Sequence, residues 1–329
     1  MDCGQCWDCE ADENCIAKKH EKTYKKVFKS SNGHFYDISH YDLIIDKDSD
    51  PHFLRGYKEN GDLLYDVRFN NIKEGKEIYK NIIRQPAKSL TKNRGSGAGI
   101  VDLKKFPKGA VELCDAKGNP LDPDKEYFSV YYKYEDGRIV KRCQSNRVRC
   151  GVAGYFGKVG QLPCRMVSWS RDHLEKHKGL FPLCENIRKT YEDVSPDHLE
   201  LLEERSFYRP QFRLGDTPFS TMTLNYDFRT ANHKDKGDFD QVLSTLTIFE
   251  DKINNYKGFY LGLPDYKIAF DLRDGDTIYF DAHEYHANTE CEILTNDLPI
   301  DSMTGNSFAG RMAVVLYLRE NLIKCPDID

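Results

Sequence analysis

The stretch TANHKDKGDF, residues 230–239, sets His233 and Asp235 two apart in a run crowded with charge. A metal that activates dioxygen needs protein ligands on one face and open positions on the other. Two histidines and one carboxylate supply that arrangement, which suits non-haem Fe(II). A second histidine must then come from downstream, and DLRDGDTIYFDAHEYHANTE offers His283 and His286. His286 is favoured, because HANTECEIL reads as the start of a new strand and a ligand is best held on a rigid element. His283 stands as the alternative. Farther on, GRMAVVLYLREN is an apolar strand with Arg311 at its start. A guanidinium there either caps the strand or grips a carboxylate through two parallel hydrogen bonds.

His-x-Asp, then a Gly-Asp turn before a strand, then His, then Arg on the last strand: this order resembles the 2-oxoglutarate/Fe(II) dioxygenase superfamily. SNRVRCGVAGYFGKVGQLPCRMVSW, FSTMTLNYDFRTANHKDKGDF and GRMAVVLYLREN resemble its branch of TET and base-J-binding-protein oxygenases, with their phage, viral and fungal relatives. The similarity runs from about Lys92 to Leu322. It implies a double-stranded β-helix, or jelly roll. It also implies iron on His233, Asp235 and His286, with 2-oxoglutarate as cosubstrate and its far carboxylate on Arg311. The implied reaction is hydroxylation of a pyrimidine methyl, in thymine or 5-methylcytosine. Asp235, rather than Gly or Ala, leaves no vacant halide site, which argues for hydroxylation over halogenation.

Around these residues lie further candidates. Asn225 and Arg229 flank the metal pair, Asn225 as a cosubstrate contact and Arg229 as a substrate contact. Asp238 either reads a base edge or caps a turn. Tyr155, with Phe156 beside it, either stacks on a base or packs in the core. Arg319 lies eight residues past Arg311, so an unbroken strand would carry both on one face.

The elements that position these groups are mainly strands. FSTMTLNYDF, LSTLTIF, GFYLGL, KIAFDL, DTIYFD, HANTECEIL and RMAVVLYLR are short, β-branched or aromatic, and separated by glycine turns. That pattern argues for a sandwich or barrel. Asp274-Gly275 and Asp136-Gly137 carry hairpin signals. From Arg171 to Ser206 the apolar period changes to that of two or three helices, the last opened by Ser195 and Pro196. A short helix is expected around Glu74 to Arg84, ending before Pro86. The fold is therefore expected to be mainly β with flanking helices (α+β), a jelly-roll core with an N-terminal extension. Residues 1–20 form a Cys-rich segment, 21–160 an extension packing on the core, and 161–329 the core, braced by helices over 171–206. The glycine-rich TKNRGSGAGIVDL reads as a loop or linker, and not as a Walker loop, because no Gly-Lys-Ser/Thr follows. TECEILTNDLPIDSMTGNSFAG reads as a long loop over the mouth of the site.

The 329 residues allow a large core, and 20 Tyr and 18 Phe supply it. No apolar run approaches a membrane span, and MDCGQCWDCEADENC is too acidic and cysteine-rich for a secretory signal, so a soluble intracellular protein is expected. The net charge of −5 argues against strong non-specific nucleic-acid binding. Up to Ser170, however, there are 30 Lys and Arg against 24 Asp and Glu. That leaves room for a basic track at Lys18–Lys29 or Arg138–Arg149, either of which is otherwise a solvated face. Cys3, Cys6, Cys9 and Cys15, with His20 beyond, have spacing for zinc, for an iron-sulfur cluster, or for a tail of free thiols. Cys114, Cys143, Cys150, Cys164, Cys184, Cys291 and Cys325 are expected to be buried small apolar residues. The competing functions are a 2-oxoglutarate hydroxylase of proteins or small molecules, a non-catalytic jelly-roll binding module, and a zinc-ribbon-like adaptor. A nucleic-acid or nucleotide partner fits the first choice.

Overall fold

The computed structural model describes residues 21–87, 90–92, 108–122, 127, 130–142, 147–158, 160–251, 255–294 and 309–326. The chain begins with β1 (Glu21–Tyr24), β2 (Leu43–Ile45), β3 (Arg55–Lys58) and β4 (Leu63–Arg68), then helix α1 (Lys76–Ala87) and β5 (Leu90–Lys92). A small antiparallel sheet follows, made of β6 (Ala110–Cys114), β7 (Val130–Tyr134) and β8 (Ile139–Arg142). Next come β9 (Arg147–Phe156), β10 (Arg165–Met166) and four helices: α2 (Ser168–Asp172), α3 (Leu174–Lys178), α4 (Phe181–Val194) and α5 (Pro196–Phe207). The last third holds β11 (Thr221–Tyr226), β12 (Ser244–Glu250), β13 (Tyr256–Gly258), β14 (Leu261–Leu263) and β15 (Ile268–Phe270). It closes with β16 (Thr277–Phe280), β17 (Ala287–Asn288), β18 (Cys291–Ile293) and β19 (Arg311–Tyr317).

Two sheets face each other. The major one runs β1-β3-β4-β16-β12-β19-β11-β9-β10, with β5 also on β9. The minor one runs β17-β14-β15-β2. Between β12 and β19 the chain alternates sheets: β14 and β15 are minor, β16 major, β17 minor, β19 major. That alternation is a double-stranded β-helix.

Period-2 strand geometry sorts the side chains. Met222, Leu224, Tyr226, Met312, Val314 and Leu316 join Ile83, Leu183, Ile187 and Tyr191 in a core beneath α1 and α4. The Tyr191 hydroxyl donates to the Leu243 carbonyl and that of Tyr279 to Ile187, so the helices are tied to the sheet as well as packed on it. Ala313, Leu246, Ile248, Ile278 and Phe280 point the other way, against Leu261, Leu263, Ile268 and Phe270 of the minor sheet. By the same alternation Asn225 and Arg311 share this inner face.

Several expectations are corrected. Strands from residues 21–160 enter the core sheets, while β6, β7 and β8 form a sheet of their own. β4 pairs with β16, β2 with β15, and β9 with β11, so this segment supplies sheet strands. Asp274-Gly275 is a turn but not a hairpin, because β15 lies in the minor sheet and β16 in the major. Gly275 has φ +92°, and a Cβ there would meet the Ile72 carbonyl at 2.6 Å, so the turn requires glycine. Helix α1 runs through Pro86, which has no N–H to give to the Ile82 carbonyl, so the helix ends one residue later with that bond forgone. HANTECEIL is broken into β17, on the minor sheet, and β18, which pairs with β13. Four helices, two of them short, replace the expected two or three, and Ser195 at the start of α5 makes no side-chain cap hydrogen bond. Cys164 and Cys325 are not separate apolar residues but form a disulfide across 161 positions, with Cα atoms 6.0 Å apart. Strand β19 ends at Tyr317, so Arg319 stands beyond it. Cys3, Cys6, Cys9, Cys15, His20, the glycine-rich stretch after Lys92 and most of the 289–310 loop lie outside the described residues. Among the described residues no helix is long and apolar enough to cross a membrane.

His177 in α3 gives the fold a pH dependence. It is buried between the edges of Tyr155 and Phe181, and neither ring nitrogen has a hydrogen-bond partner among the described residues. Burial pulls it from 6.5 down to about 4. Between those values the unfolded chain binds more protons, so stability is full above 6.5 and is lost as pH falls toward 4. We expect roughly 3 kcal/mol to disappear across that window. In urea denaturation at several pH values, His177→Leu should flatten this part of the profile; an unchanged slope would assign the dependence to other groups.

Candidate metal centre

The chain leaves β11 at Tyr226 and returns to the minor sheet through a strap that carries His233 and Asp235. His233 and His286 form an antiparallel bridge: the His233 N–H donates to the His286 carbonyl at 3.0 Å, and the reverse bond is 2.9 Å. In such a pair both side chains leave on the same side of the sheet. Their ring centroids are 4.3 Å apart, and His286 rests edge-on against Phe280 at 5.2 Å. The Asp235 N–H donates to Ala282, which brings its carboxylate to the same point. His233 Nε2 lies 3.6 Å from Asp235 Oδ1, and His286 Nε2 lies 4.0 Å from Oδ2. One donor atom from each of the three lies within 4.8 Å of the others.

The donor chemistry fits a metal. Nδ1 of His233 is 2.7 Å from the Ala231 carbonyl, and Nδ1 of His286 is 3.0 Å from that of Glu284. A carbonyl accepts only from a protonated nitrogen, so each ring carries its proton on Nδ1 and turns the Nε2 lone pair toward Asp235. Burial, and then the neighbouring His233, push His286 down to about 4, so its ring is neutral at ordinary pH. His283 is not in this group. Its Nδ1 is 3.7 Å from Asp281 Oδ1, and its N–H donates to the same carboxylate.

Other polar groups face the inter-sheet space. Arg311 is 5% exposed, and its Nη2 has no hydrogen-bond partner among the described residues. Burial holds its pKa below the ordinary guanidinium value. The Asn225 Oδ1 is likewise buried without a partner among those residues. Asp227 was not singled out by sequence. It has φ 45°, and its carboxylate accepts the N–H groups of Gly310 (3.1 Å) and Arg311 (2.8 Å), fixing the start of β19. No local signal reveals it, because its partners lie more than 80 residues away.

Asp238 is buried and accepts from the Ser244 hydroxyl at 3.0 Å. Burial, then the charge of Asp235, push its carboxyl up to about 7. Its backbone bridges to Arg319. The Arg319 guanidinium lies 4.6 Å from the Phe156 ring centroid and 5.3 Å from that of Tyr317, donates to the Tyr317 hydroxyl, and leaves Nε unpartnered among the described residues. Tyr155 points to the opposite face from Phe156 and packs on Phe212 at 5.5 Å and His177 at 6.4 Å, as its core-packing alternative has it. Arg229 is committed within the chain, to the Asn288 carbonyl, the Asp37 carboxylate at 3.1 Å and the face of Phe35.

Asp235→Asn should lower Fe(II) or Co(II) affinity by at least about tenfold, since it removes the one anionic ligand from the site. Anaerobic metal titration measures this, and equal affinity in the variant would remove Asp235 from the centre.

Comparison with known proteins places this geometry. The family model Tet_JBP, described as the oxygenase domain of the 2OGFeDO superfamily, matches residues 150–320. Thymine dioxygenase JBP1 of Trypanosoma brucei brucei is 32% identical over 182 residues, 54% of this chain and 20% of the relative. JBP1 of Leishmania braziliensis is 34% identical over 212 residues, 64% of this chain and 24% of the relative. The chain thus spans about a quarter or less of the length of these curated relatives. A solved structure of NgTET1 in complex with 5mC DNA aligns over 87% of this chain and 85% of its own, with TM-score 0.46 and 14% identity.

Proposed function

We propose that this chain, which belongs to the Tet_JBP family of oxygenase domains in the 2OGFeDO superfamily, hydroxylates the methyl group of a pyrimidine base in nucleic acid, with Fe(II) and 2-oxoglutarate. The observation that carries the reading is the pairing of the His233–Asp235–His286 cluster with a buried, unpartnered Arg311 nitrogen on the inner face of the same jelly roll. Bound iron with 2-oxoglutarate supplies oxidation of a C–H bond by dioxygen, releasing succinate and carbon dioxide.

The chain's own residues do the rest. His233, Asp235 and His286 hold the metal from one side and leave the other open. The Arg311 guanidinium, desolvated in advance, pairs with the distal carboxylate of 2-oxoglutarate. Asn225 donates to the cosubstrate through its side-chain amide N–H groups, since 2-oxoglutarate offers only acceptors. Asp238 accepts from a ring N–H or exocyclic amine of the base, and Arg319 donates to a ring carbonyl. A base in duplex DNA must be flipped to reach them, whereas a single strand avoids that cost. The relatives' name, thymine dioxygenase, supports thymine as the first base to test.

The test is incubation with Fe(II), 2-oxoglutarate and thymine- or 5-methylcytosine-containing oligonucleotides, single- and double-stranded. Mass spectrometry should find succinate and a base heavier by one oxygen; succinate with every base unoxidised would remove nucleic acid as the substrate. Arg311→Met should raise the 2-oxoglutarate Kd by about two to three and a half orders of magnitude, given the roughly 3–5 kcal/mol lost when a buried charge loses its partner. Its melting temperature without cosubstrate should fall little, because Nη2 has no hydrogen-bond partner among the described residues. An unchanged Kd by calorimetry would take Arg311 out of the cosubstrate site.

A further inference from the structure

The loop between β16 and β17 delivers His286, and it is held by charges from a distant part of the chain. Glu284 is only 8% exposed, although it is a carboxylate. Its Oε2 lies 2.5 Å from Lys26 Nζ, and its Oε1 lies 3.6 Å from Lys58 Nζ. Lys58 Nζ also reaches Asp281 Oδ2 at 2.5 Å. Asp281 in turn accepts the His283 N–H, its carbonyl accepts the Glu284 N–H, and its own N–H donates to the Leu64 carbonyl. Burial alone would raise the Asp281 carboxyl, but the His283 and Lys58 contacts hold it below the ordinary carboxylate range. Two carboxylates on one short loop would repel each other and seek water. The two lysines supply the opposing charge that holds them inward, beside the Tyr266 hydroxyl on Glu284 and His283 on Asp281.

The consequence falls on the metal centre, because the Glu284 carbonyl is the group that accepts from His286 Nδ1. If the Glu284 peptide turns, His286 loses the bond that sets its tautomer and ring plane. Lys26 is on the segment after β1 and Lys58 ends β3, both outside the 150–320 region that matches the family. We propose that Glu284 is a positioning residue for the third metal ligand, held in place by Lys26 and Lys58, so that the N-terminal strands complete a metal site the family region does not finish alone. This rests on the reading of His286 as a ligand. It predicts an order of effects as well. Lys58 is one-fifth exposed and touches both carboxylates, while Lys26 is nearly half exposed and screened by water. Lys58 should therefore matter more.

The experiment is anaerobic titration of the full chain with Fe(II) and with Co(II), followed by the visible spectrum of the Co(II) form. Glu284→Gln, close in shape to the original, and Lys58→Met are the decisive variants. Each keeps the Glu284 carbonyl but frees the peptide that carries it, and should weaken metal binding by about tenfold, the lower end of what losing a partner behind a metal-binding histidine costs. Each should also change the Co(II) spectrum, while 2-oxoglutarate affinity at saturating metal stays within about threefold. Lys26→Met should weaken binding less, and Lys58→Arg should restore it. Metal affinity within about twofold of the unaltered chain in both decisive variants overturns the proposal. So does a loss that only follows the fall in melting temperature, with an unchanged Co(II) spectrum. An unaltered chain that binds neither metal would instead defeat the reading of the site itself. An unaltered chain that binds metal but oxidises no nucleic acid would defeat only the substrate reading.

Discussion

Two reciprocal hydrogen bonds between the backbones of His233 and His286 are the constraint on which the site depends. They join two segments that are 53 positions apart and belong to different connections of the jelly roll. Because the pair is antiparallel and hydrogen-bonded, the two imidazoles emerge side by side without any side-chain search. The Asp235 N–H on Ala282 adds a third backbone bond to the same seam. Side-chain freedom at the cluster is then limited mainly to χ angles, and the Nδ1 bonds to Ala231 and Glu284 remove much of that.

Polar satisfaction is uneven across the molecule, and the unevenness is informative. Beneath the helices, Tyr191 and Tyr279 find backbone carbonyls, and the Tyr226 hydroxyl donates to Asp251, which also pairs with Arg84. Arg311 Nη2 and Asn225 Oδ1 on the inner face, and Arg319 Nε beyond the end of β19, have no partner among the described residues. Each such buried group costs about 1–3 kcal/mol. Buried His177 in α3 lacks partners as well, but Arg311 and Asn225 face the inter-sheet space, where a ligand relieves the cost.

The segment from Glu21 onward contributes to both sheets. β4 extends the major sheet past β16, β2 extends the minor sheet past β15, and Lys58 reaches the loop that bears His286. The inter-sheet space is therefore enclosed by strands from both ends of the chain.

Much was legible in the residues themselves. Runs such as LSTLTIF and RMAVVLYL are β-branched and apolar, and they are strands, because steric preference at χ1 and φ/ψ is a property of the residue and its neighbours. Asp136-Gly137 makes its hairpin between β7 and β8 for the same reason, with Gly137 at φ 77°. The His-x-Asp spacing and an arginine opening the last strand were visible without coordinates. What local preference cannot supply is the choice between faces and partners. Period 2 puts Tyr155 and Phe156 on opposite sides, but only the pairing of β9 with β11 says which side meets the helices. His283 and His286 are three residues apart in one turn, and only the distant backbone of His233 separates them. The same holds for Asp274-Gly275, which links two sheets where it reads as a hairpin, and for the bond between Cys164 and Cys325. Conformation within a strand is set by contacts one or two residues away; which strand lies next to it is set by burial summed over the whole chain.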